Sequence, residues 1–308
     1  MTAPPTPHGP DPRDGQIYDM PPDLGLAIEV ALATHRPLLL SGEPGSGKSS
    51  LAPHYARTHG MRYYEHVVTS RTRATDLLWT FDSVRRLADA QAHRSHLQDA
   101  EYVRPGVLWW SLAPESAQSR GGLLRASAGG DPMDRFARER QAKDAVVLID
   151  EIDKADPDVP NSLLVPLGSQ EFTVAETETT VCREPSVGAH LVVITTNDER
   201  ELPQAFLRRC VTFTLPAPTT ESLLRIARMH LRHDGQKWDA ATQQLAGALA
   251  DELMNARQEG DIRRDRLPST AEYLDALRAC RALDVRPGGP KWELIRTLTL
   301  TKSPQKQG

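Results

Sequence analysis

One short segment of the chain has residue types suited to binding a phosphate chain. Gly42-Glu43-Pro44-Gly45-Ser46-Gly47-Lys48-Ser49 fits the pattern G-x-x-x-x-G-K-[ST]. Glycines let backbone N–H groups surround a phosphate, and a helix that begins at Lys48 turns its positive end towards the anion. Lys48 is expected to reach the β and γ oxygens of a nucleoside triphosphate, and the Ser49 hydroxyl to bind Mg²⁺. We predict that residues 42–50, ending with Ser50, bind the nucleotide; the alternative is a glycine-rich turn without a ligand.

An acidic pair follows a second apolar run. Val146-Val147-Leu148-Ile149 predicts a buried strand, and Asp150 and Glu151 come directly after it. Ligands of open α/β sheets gather at the carboxyl ends of the strands. Asp150 is therefore predicted to hold Mg²⁺ through water, and Glu151 to polarise the attacking water. The alternative is an acidic strand end without a catalytic role. Asp153 and Lys154, which follow, are interpreted as charges at the start of a helix.

A polar amide ends the next apolar run. Asn197 follows Leu191-Val192-Val193-Ile194-Thr195-Thr196. From a neighbouring strand end, its amide would reach the γ-phosphate or the attacking water. The alternative is that Asn197 simply caps the strand end.

The elements that must position these residues alternate between apolar runs and helical patterns. Strands are predicted at residues 38–40, 63–69, 146–149, 191–194 and 211–215, and helices at 24–33, 48–58, 82–93 and 159–167. Short, wholly apolar strands that alternate with helices are typical of a parallel sheet covered on both faces. The predicted fold class is α/β, with a five-stranded parallel sheet followed by a small all-α domain.

The domain boundaries follow from changes in composition and pattern. Residues 1–16 carry five prolines and predict a disordered tail, and 302–308 predict a flexible one. Residues 17–216 are assigned to the nucleotide-binding core, with a surface insertion at about 112–143 that has no clear periodicity. After Pro216-Ala217-Pro218 only helical patterns remain, at about 220–233, 240–258, 269–284 and 291–301, so residues 217–301 are assigned to a helical lid domain.

With these motifs the chain resembles the AAA+ ATPases, and among them the MoxR-like family. GEPGSGKS matches Walker A, VVLIDEID matches Walker B and ITTN matches sensor 1. Two weaker matches indicate MoxR in particular. Residues 76–82 with 104–110 are similar to the family's insertion after the second strand, and residues 161–167 with 171–174 to its helix and β-hairpin before sensor 1.

The resemblance implies an activity and an assembly. We expect a Mg²⁺-dependent ATPase that converts ATP to ADP and phosphate, assembled as a ring, most simply a hexamer. Members of the family remodel protein partners, often ones with a von Willebrand A domain. The resemblance also implies an arginine finger, one subunit's guanidinium that completes the site of the next. Arg209 is our first choice for it and Arg208 the second.

One position departs from the family pattern. The sensor 2 arginine is expected at residue 271, where Ala271 follows Pro268-Ser269-Thr270. Arg263, Arg264 or Arg266 would have to replace it. Otherwise the lid senses the γ-phosphate weakly, and hydrolysis is slow or depends on a partner.

Composition narrows the classes of function. The 308 residues include 37 Lys and Arg against 41 Asp and Glu, a net charge of −4. This balance argues against a protein that mainly coats nucleic acid or an anionic membrane. Three well-separated cysteines and no long apolar stretch favour a reducing, cytoplasmic setting. Because of the charge balance, Trp109-Trp110 is interpreted as a packing or subunit-contact element rather than a base-stacking platform.

Three functions remain as hypotheses. The first is an ATPase that remodels or activates a protein partner. The second is a nucleotide-driven oligomerising switch with slow hydrolysis, motivated by Ala271. The third is a nucleic-acid motor or clamp loader, motivated by Arg208-Arg209-Cys210 and disfavoured by the charge balance.

Overall fold

The computed structural model describes residues 14–92, 97–120, 133–136, 143–263 and 267–301. They divide into two units. The larger unit contains Asp14–Gln16, Pro21–Ser41 and the described residues of Ser49–Thr214. The smaller unit contains Ile17–Met20, Gly42–Lys48 and the chain from Leu215 onward. Most of the predicted phosphate-binding loop therefore belongs to the smaller unit.

The larger unit is built on strands. In chain order the strands of the described residues are β1 (Leu38–Ser41), β2 (Arg62–Val67), β3 (Trp79–Phe81), β4 (Val103–Pro105), β5 (Ala145–Asp150), β6 (Glu171–Val174), β7 (Thr179–Cys182), β8 (His190–Thr195) and β9 (Val211–Thr214).

Five of these strands form one sheet in the order β2-β5-β8-β1-β9, and every neighbouring pair is parallel. Every residue of β5 and of β8 is buried, which explains why both read as continuous apolar runs in the sequence. Because the strands are parallel, their carboxyl ends meet at one edge of the sheet. The predicted five-stranded parallel sheet is confirmed.

Helices and two further strand pairs complete the larger unit: β3 pairs antiparallel with β4, and β6 pairs antiparallel with β7 in a hairpin. The helices of the larger unit are α1 (Pro22–Thr34), α2 (Lys48–His59, whose first residue belongs to the smaller unit), α3 (Ala74–Leu78), α4 (Ser83–Gln91), α5 (Val107–Leu112), α6 (Pro114–Arg120), α7 (Asp158–Ser162), α8 (Leu164–Ser169) and α9 (Gln204–Leu207).

An aromatic cluster packs the β3–β4 and β6–β7 strand pairs against helix α5 in the core of the larger unit. Phe172, on the β6–β7 hairpin, stacks on Trp79 with ring centroids 5.8 Å apart and meets Trp109 edge-on at 5.7 Å. Trp109 is completely buried, and Trp110 is 6% exposed. The two tryptophans of α5 are therefore core residues, as the packing interpretation expected.

Three local predictions differ from the structure. The single helix expected at 159–167 is two helices, α7 and α8, because Pro166 has no N–H to donate to the carbonyl of Ser162. The segment 112–143 is partly folded: it contains α6, and the Asp134 carboxylate accepts a hydrogen bond from Tyr63 N at 2.9 Å. Residues 121–132 and 137–142 lie outside the described residues.

The third difference concerns the N-terminal residues 14–16, which were assigned from sequence to a disordered tail and which contact α2. Arg57 Nε donates to the carbonyl of Asp14 at 2.6 Å, and His54 Nδ1 lies 3.0 Å from the carbonyl of Gly15. Residues 1–13 and 302–308 lie outside the described residues, so the two predicted tails are otherwise untested.

The smaller unit is helical after Leu215. Its helices are α10 (Thr220–His233), α11 (Ala240–Arg263), α12 (Thr270–Ala282) and α13 (Pro290–Arg296), and a π-type turn over Thr297–Thr301 follows the last. Leu223, Leu249 and Tyr273 are among the buried side chains that pack these helices together. Within the described part of the chain, no helix is long and apolar enough to cross a membrane.

The aromatic cluster gives a test of the fold. Trp109→Ala removes a fully buried indole, so we expect the free energy of unfolding to fall by about 3–5 kcal/mol. Val84→Ala, at a side chain 79% exposed on α4, is the control and should change it by less than about 0.5 kcal/mol. Urea unfolding followed by far-ultraviolet circular dichroism measures both. Equal costs for the two variants would contradict this core.

Candidate active site

The phosphate-binding loop has the backbone that its sequence pattern predicts. Helix α2 begins at Lys48, and Gly45 and Gly47 have φ values of 73° and 91°, in the left-handed region that favours glycine. A Cβ on Gly45 would clash with the Ser269 hydroxyl oxygen, so a side chain has no room there. Gly45 and Ser269 both belong to the smaller unit, and the loop packs closely against the start of α12.

Two side chains of this loop, Lys48 and Ser46, have polar groups suited to binding an anion. The Lys48 side chain is buried, and its ammonium donates to the carbonyls of Gly42 at 2.7 Å and Glu43 at 2.9 Å. Ser46 N also donates to the Glu43 carbonyl, at 3.2 Å. The buried Ser46 hydroxyl has no hydrogen-bond partner among the described residues. Buried polar groups normally have one, so this hydroxyl fits a loop built for a polar ligand.

Asp150 lies at the end of β5 and is 1% exposed. Its Oδ1 accepts hydrogen bonds from the Ser49 and Thr195 hydroxyls, each at 2.6 Å. Carboxylate and hydroxyl oxygens are hard ligands of the kind Mg²⁺ prefers. The two residues predicted to bind the metal, Ser49 and Asp150, are therefore in contact and chemically suited to Mg²⁺. Thr195 also contacts Asp150, and the sequence analysis did not identify it as part of this site.

Glu151 adopts an unusual backbone conformation. Its φ of 61° and ψ of 51° are left-handed, a conformation that costs a non-glycine residue about 1–2 kcal/mol. Its N–H donates to the Thr195 hydroxyl at 2.9 Å. The Glu151 carboxylate accepts from Lys154 Nζ at 2.6 Å and from the Asn197 amide at 3.4 Å. The bond to Glu151 raises the pKa of Lys154. The structure thus brings Glu151 and Asn197 together.

Asp153 has a larger role than the sequence analysis predicted. It lies in the first turn of a short 3-10 helix, Ile152–Lys154, as expected, but it is also only 3% exposed. Its Oδ2 accepts from the backbone N–H groups of Asn197 at 3.1 Å and Glu199 at 3.0 Å. Asp153 therefore fixes the backbone of the segment that carries Asn197. The burial of this carboxylate has no local sequence signal, because its partners lie more than forty residues away.

The two candidate finger residues follow α9 and are exposed. Arg209 Nη1 lies 3.5 Å from the carbonyl of Ala205 in its own helical turn. The carbonyl of Arg208 accepts from Arg36 Nη1 at 3.1 Å, which holds the backbone before β9 while both finger candidates stay exposed. Exposed guanidinium groups are available to another molecule.

Another residue that the sequence analysis did not identify lies in the smaller unit. Arg257 on α11 is 8% exposed, and its guanidinium contacts the carboxylate of Glu43 in the phosphate-binding loop. Ala271, at the expected sensor 2 position, lies near the same loop: its Cβ is 3.7 Å from a Cβ placed on Gly45. Arg264, Arg266 and the side chain of Arg263 lie outside the described residues.

Comparison with protein families agrees with this geometry. The sequence model of the AAA domain, dynein-related subfamily, matches residues 37–210, more than half of the chain. The chain belongs to this AAA family. The match covers the phosphate-binding loop, Asp150, Glu151 and Asn197, and membership of the family supports ATP binding and hydrolysis in general. The MoxR-like assignment is finer than this match and stays a prediction.

Solved structures with a similar fold include two of one protein. RuvB of Thermotoga maritima, a Holliday junction branch migration motor, is 13% identical, with a TM-score of 0.47 over 90% of this chain and 67% of that chain. A single-residue variant of that RuvB is 14% identical, with a TM-score of 0.46 and the same coverage. A candidate ATPase from Cytophaga hutchinsonii is 16% identical, with a TM-score of 0.41 over 89% of this chain and 78% of its own. The comparison with curated proteins gives no match.

Replacing Asp153 tests whether its carboxylate holds the backbone of the segment that carries Asn197. Asp153→Ala removes the acceptor of two backbone N–H groups, so we expect the free energy of unfolding to fall by about 2 kcal/mol and the amides of Asn197 and Glu199 to exchange faster. The control, Asp158→Ala, removes an exposed carboxylate in the first turn of α7. Urea unfolding and hydrogen exchange measure the two effects. Unchanged exchange at Asn197 and Glu199 in Asp153→Ala would refute the assigned role.

Proposed function

We propose that this chain is a Mg²⁺-dependent ATPase of the MoxR-like type that works as a ring and remodels or activates a protein partner. The observation that carries the proposal is the shared contact of Asp150 with the Ser49 and Thr195 hydroxyls. It joins the residue after the phosphate-binding lysine to the end of the buried strand β5. The family match supports the ATPase part, and the two weaker sequence matches to MoxR-like proteins support the finer assignment.

Each residue of the proposed site has a task set by its chemistry. Backbone N–H groups of the loop, to which Pro44 contributes none, and the Lys48 ammonium bind the β and γ phosphates, whose charge they offset. Ser49 and Asp150 hold Mg²⁺, which supplies positive charge beside the phosphate oxygens when it is bound.

Glu151 accepts the proton of the attacking water, and the Asn197 amide orients that water or the γ-phosphate. The ion pair of Glu151 with Lys154 has to open, or to share the carboxylate with the water, before a proton can be taken. The reaction forms a bond from the water oxygen to the γ-phosphorus and breaks the bond to the β–γ bridging oxygen. ADP and phosphate are the products.

Ala271 favours a second candidate, a nucleotide-driven switch with slow hydrolysis. The family resemblance implies a guanidinium at this position to contact the γ-phosphate, and Ala271 has only a methyl group, 3.7 Å from a Cβ placed on Gly45 of the loop. ATP would then drive assembly, and turnover would be incidental. Oligomers that persist for hours with ATP, without release of phosphate, would favour this candidate over the first.

Glu151→Gln separates binding from chemistry. The amide has nearly the shape of the carboxylate but cannot take the proton, so we expect kcat to fall by about 100-fold or more while Mg²⁺-ATP still binds. Glu178→Gln, at an exposed acid on the turn of the β6–β7 hairpin, is the matched control and should keep full activity. Phosphate release and calorimetric titration measure the two properties. Wild-type turnover in Glu151→Gln would exclude Glu151 as the base.

A ring with an arginine supplied by the neighbouring subunit can be tested by mixing two inactive variants. Lys48→Ala lacks phosphate binding, and Arg209→Ala lacks the proposed finger. Each should be inactive alone, whereas an equal mixture should regain about a quarter of wild-type sites, since each needs an intact loop beside an intact arginine.

The same mixture with Arg208→Ala in place of Arg209→Ala identifies which arginine acts. The finger is the arginine whose alanine variant is inactive alone and regains activity in the mixture. If Arg208→Ala behaves in this way and Arg209→Ala is active alone, the finger is Arg208. No recovery with either variant would contradict a site shared between subunits.

A further inference from the structure

The smaller unit contains an arginine, Arg257, that contacts both the phosphate-binding loop and the residue before helix α12. Arg257 Nη2 lies 2.7 Å and 2.6 Å from the two carboxylate oxygens of Glu43, and Nη1 donates to the carbonyl of Pro268 at 2.8 Å. Glu43 is the second residue of the phosphate-binding loop. Pro268 directly precedes Ser269, the N-cap of α12. One buried guanidinium therefore joins the loop to the start of α12.

The ion pair is placed to affect the phosphate-binding lysine. The backbone carbonyl of Glu43 accepts from Lys48 Nζ at 2.9 Å and from Ser46 N at 3.2 Å. Holding the Glu43 side chain therefore holds the residue whose backbone positions Lys48. The Arg257 side chain is 9% exposed and that of Glu43 41%, so water screens this pair less than a surface pair.

The start of α12 is also tightly fixed. Ser269 N and its hydroxyl donate to Glu272 Oε2 at 2.8 Å and 3.1 Å in a buried capping box. The Ser269 hydroxyl is the group that a Cβ on Gly45 would meet. The loop is thus contacted at Glu43 through Arg257 and at Gly45 through Ser269, and Arg257 itself binds the residue before Ser269.

We infer that Arg257 is a positioning residue for the nucleotide: through Glu43 it holds the phosphate-binding loop in the shape that places Lys48. This inference rests on the proposed ATP site and names a residue outside all of its motifs. Because Arg257 acts on the loop rather than on the γ-phosphate, its loss weakens the binding of ATP and ADP by the same factor.

Nucleotide affinity tests the inference directly. Arg257→Met and Glu43→Gln should each weaken the binding of Mg²⁺-ATP and Mg²⁺-ADP about tenfold. The double variant should bind no more weakly than Arg257→Met, since both changes break one interaction. Arg257→Lys keeps a cation but replaces the planar fork by one nitrogen, so it should recover part of the affinity.

Arg296→Met is the matched control. Arg296 pairs with Glu252 on α11 at 2.8 Å, in the same unit but with partners outside the loop, so this variant should bind both nucleotides as wild type does. If Arg257→Met fails to fold, Glu43→Gln alone decides, because it changes a partly exposed side chain. Wild-type affinity in Glu43→Gln, or loss of ATP binding with unchanged ADP binding in Arg257→Met, would overturn the inference.

A measurement without nucleotide separates this inference from the proposed function. Hydrogen exchange of the peptide spanning residues 42–48 should be at least about fivefold faster in Arg257→Met and Glu43→Gln than in wild type or Arg296→Met. Faster exchange in a chain that binds no nucleotide would support the loop contact while refuting the ATP site. Unchanged exchange would refute the loop contact whatever the chain binds.

Discussion

The larger unit's part of the site depends on one buried carboxylate. Removing a carboxylate from water costs several kcal/mol unless polar groups replace the water, and Asp150 at the end of β5 has the hydroxyls of Ser49 and Thr195 as replacements. Ser49 stands in the first turn of α2 and Thr195 ends β8. This single group therefore ties a helix start to two neighbouring strand ends, and the parallel sheet is what brings the three together.

The residues after Asp150 bring several candidate functional groups together at one strand end. The left-handed conformation of Glu151 turns the chain away from the strand, and the bond from its N–H to Thr195 helps to offset the strain. Asp153 then holds the backbone at Asn197, whose amide contacts the Glu151 carboxylate. Lys154, three residues after Glu151, contacts the same carboxylate. The short segment from Asp150 to Lys154 thus combines a buried carboxylate suited to a metal, a candidate base, a backbone anchor and a cation.

The features that sequence predicts well here are those encoded locally. The sheet was predicted because fully buried strands such as β5 and β8 read as apolar runs, and the loop because its glycines and lysine have fixed spacing. Asp153 and Arg257 were missed because their partners lie 44 and 214 positions away. From sequence alone, an acidic residue after a strand and an arginine in a helix are both interpreted as surface residues. Only the structure shows the partners that bury them.

The phosphate-binding loop shows the same division between local and distant determinants. Its glycines explain why the backbone can adopt its shape, but they also leave it with few side chains to hold that shape, since glycine has the largest conformational freedom to lose. Glu43 is one side chain through which the loop is held. Its carboxylate pairs with a cation from outside the motif, while Lys48, the cation within it, donates to the backbone carbonyls of Gly42 and Glu43. Arg257 supplies that cation from α11, and its desolvation is compensated at both Glu43 and Pro268. A motif of eight residues can therefore specify what the loop binds, while its rigidity depends on a helix near the other end of the chain.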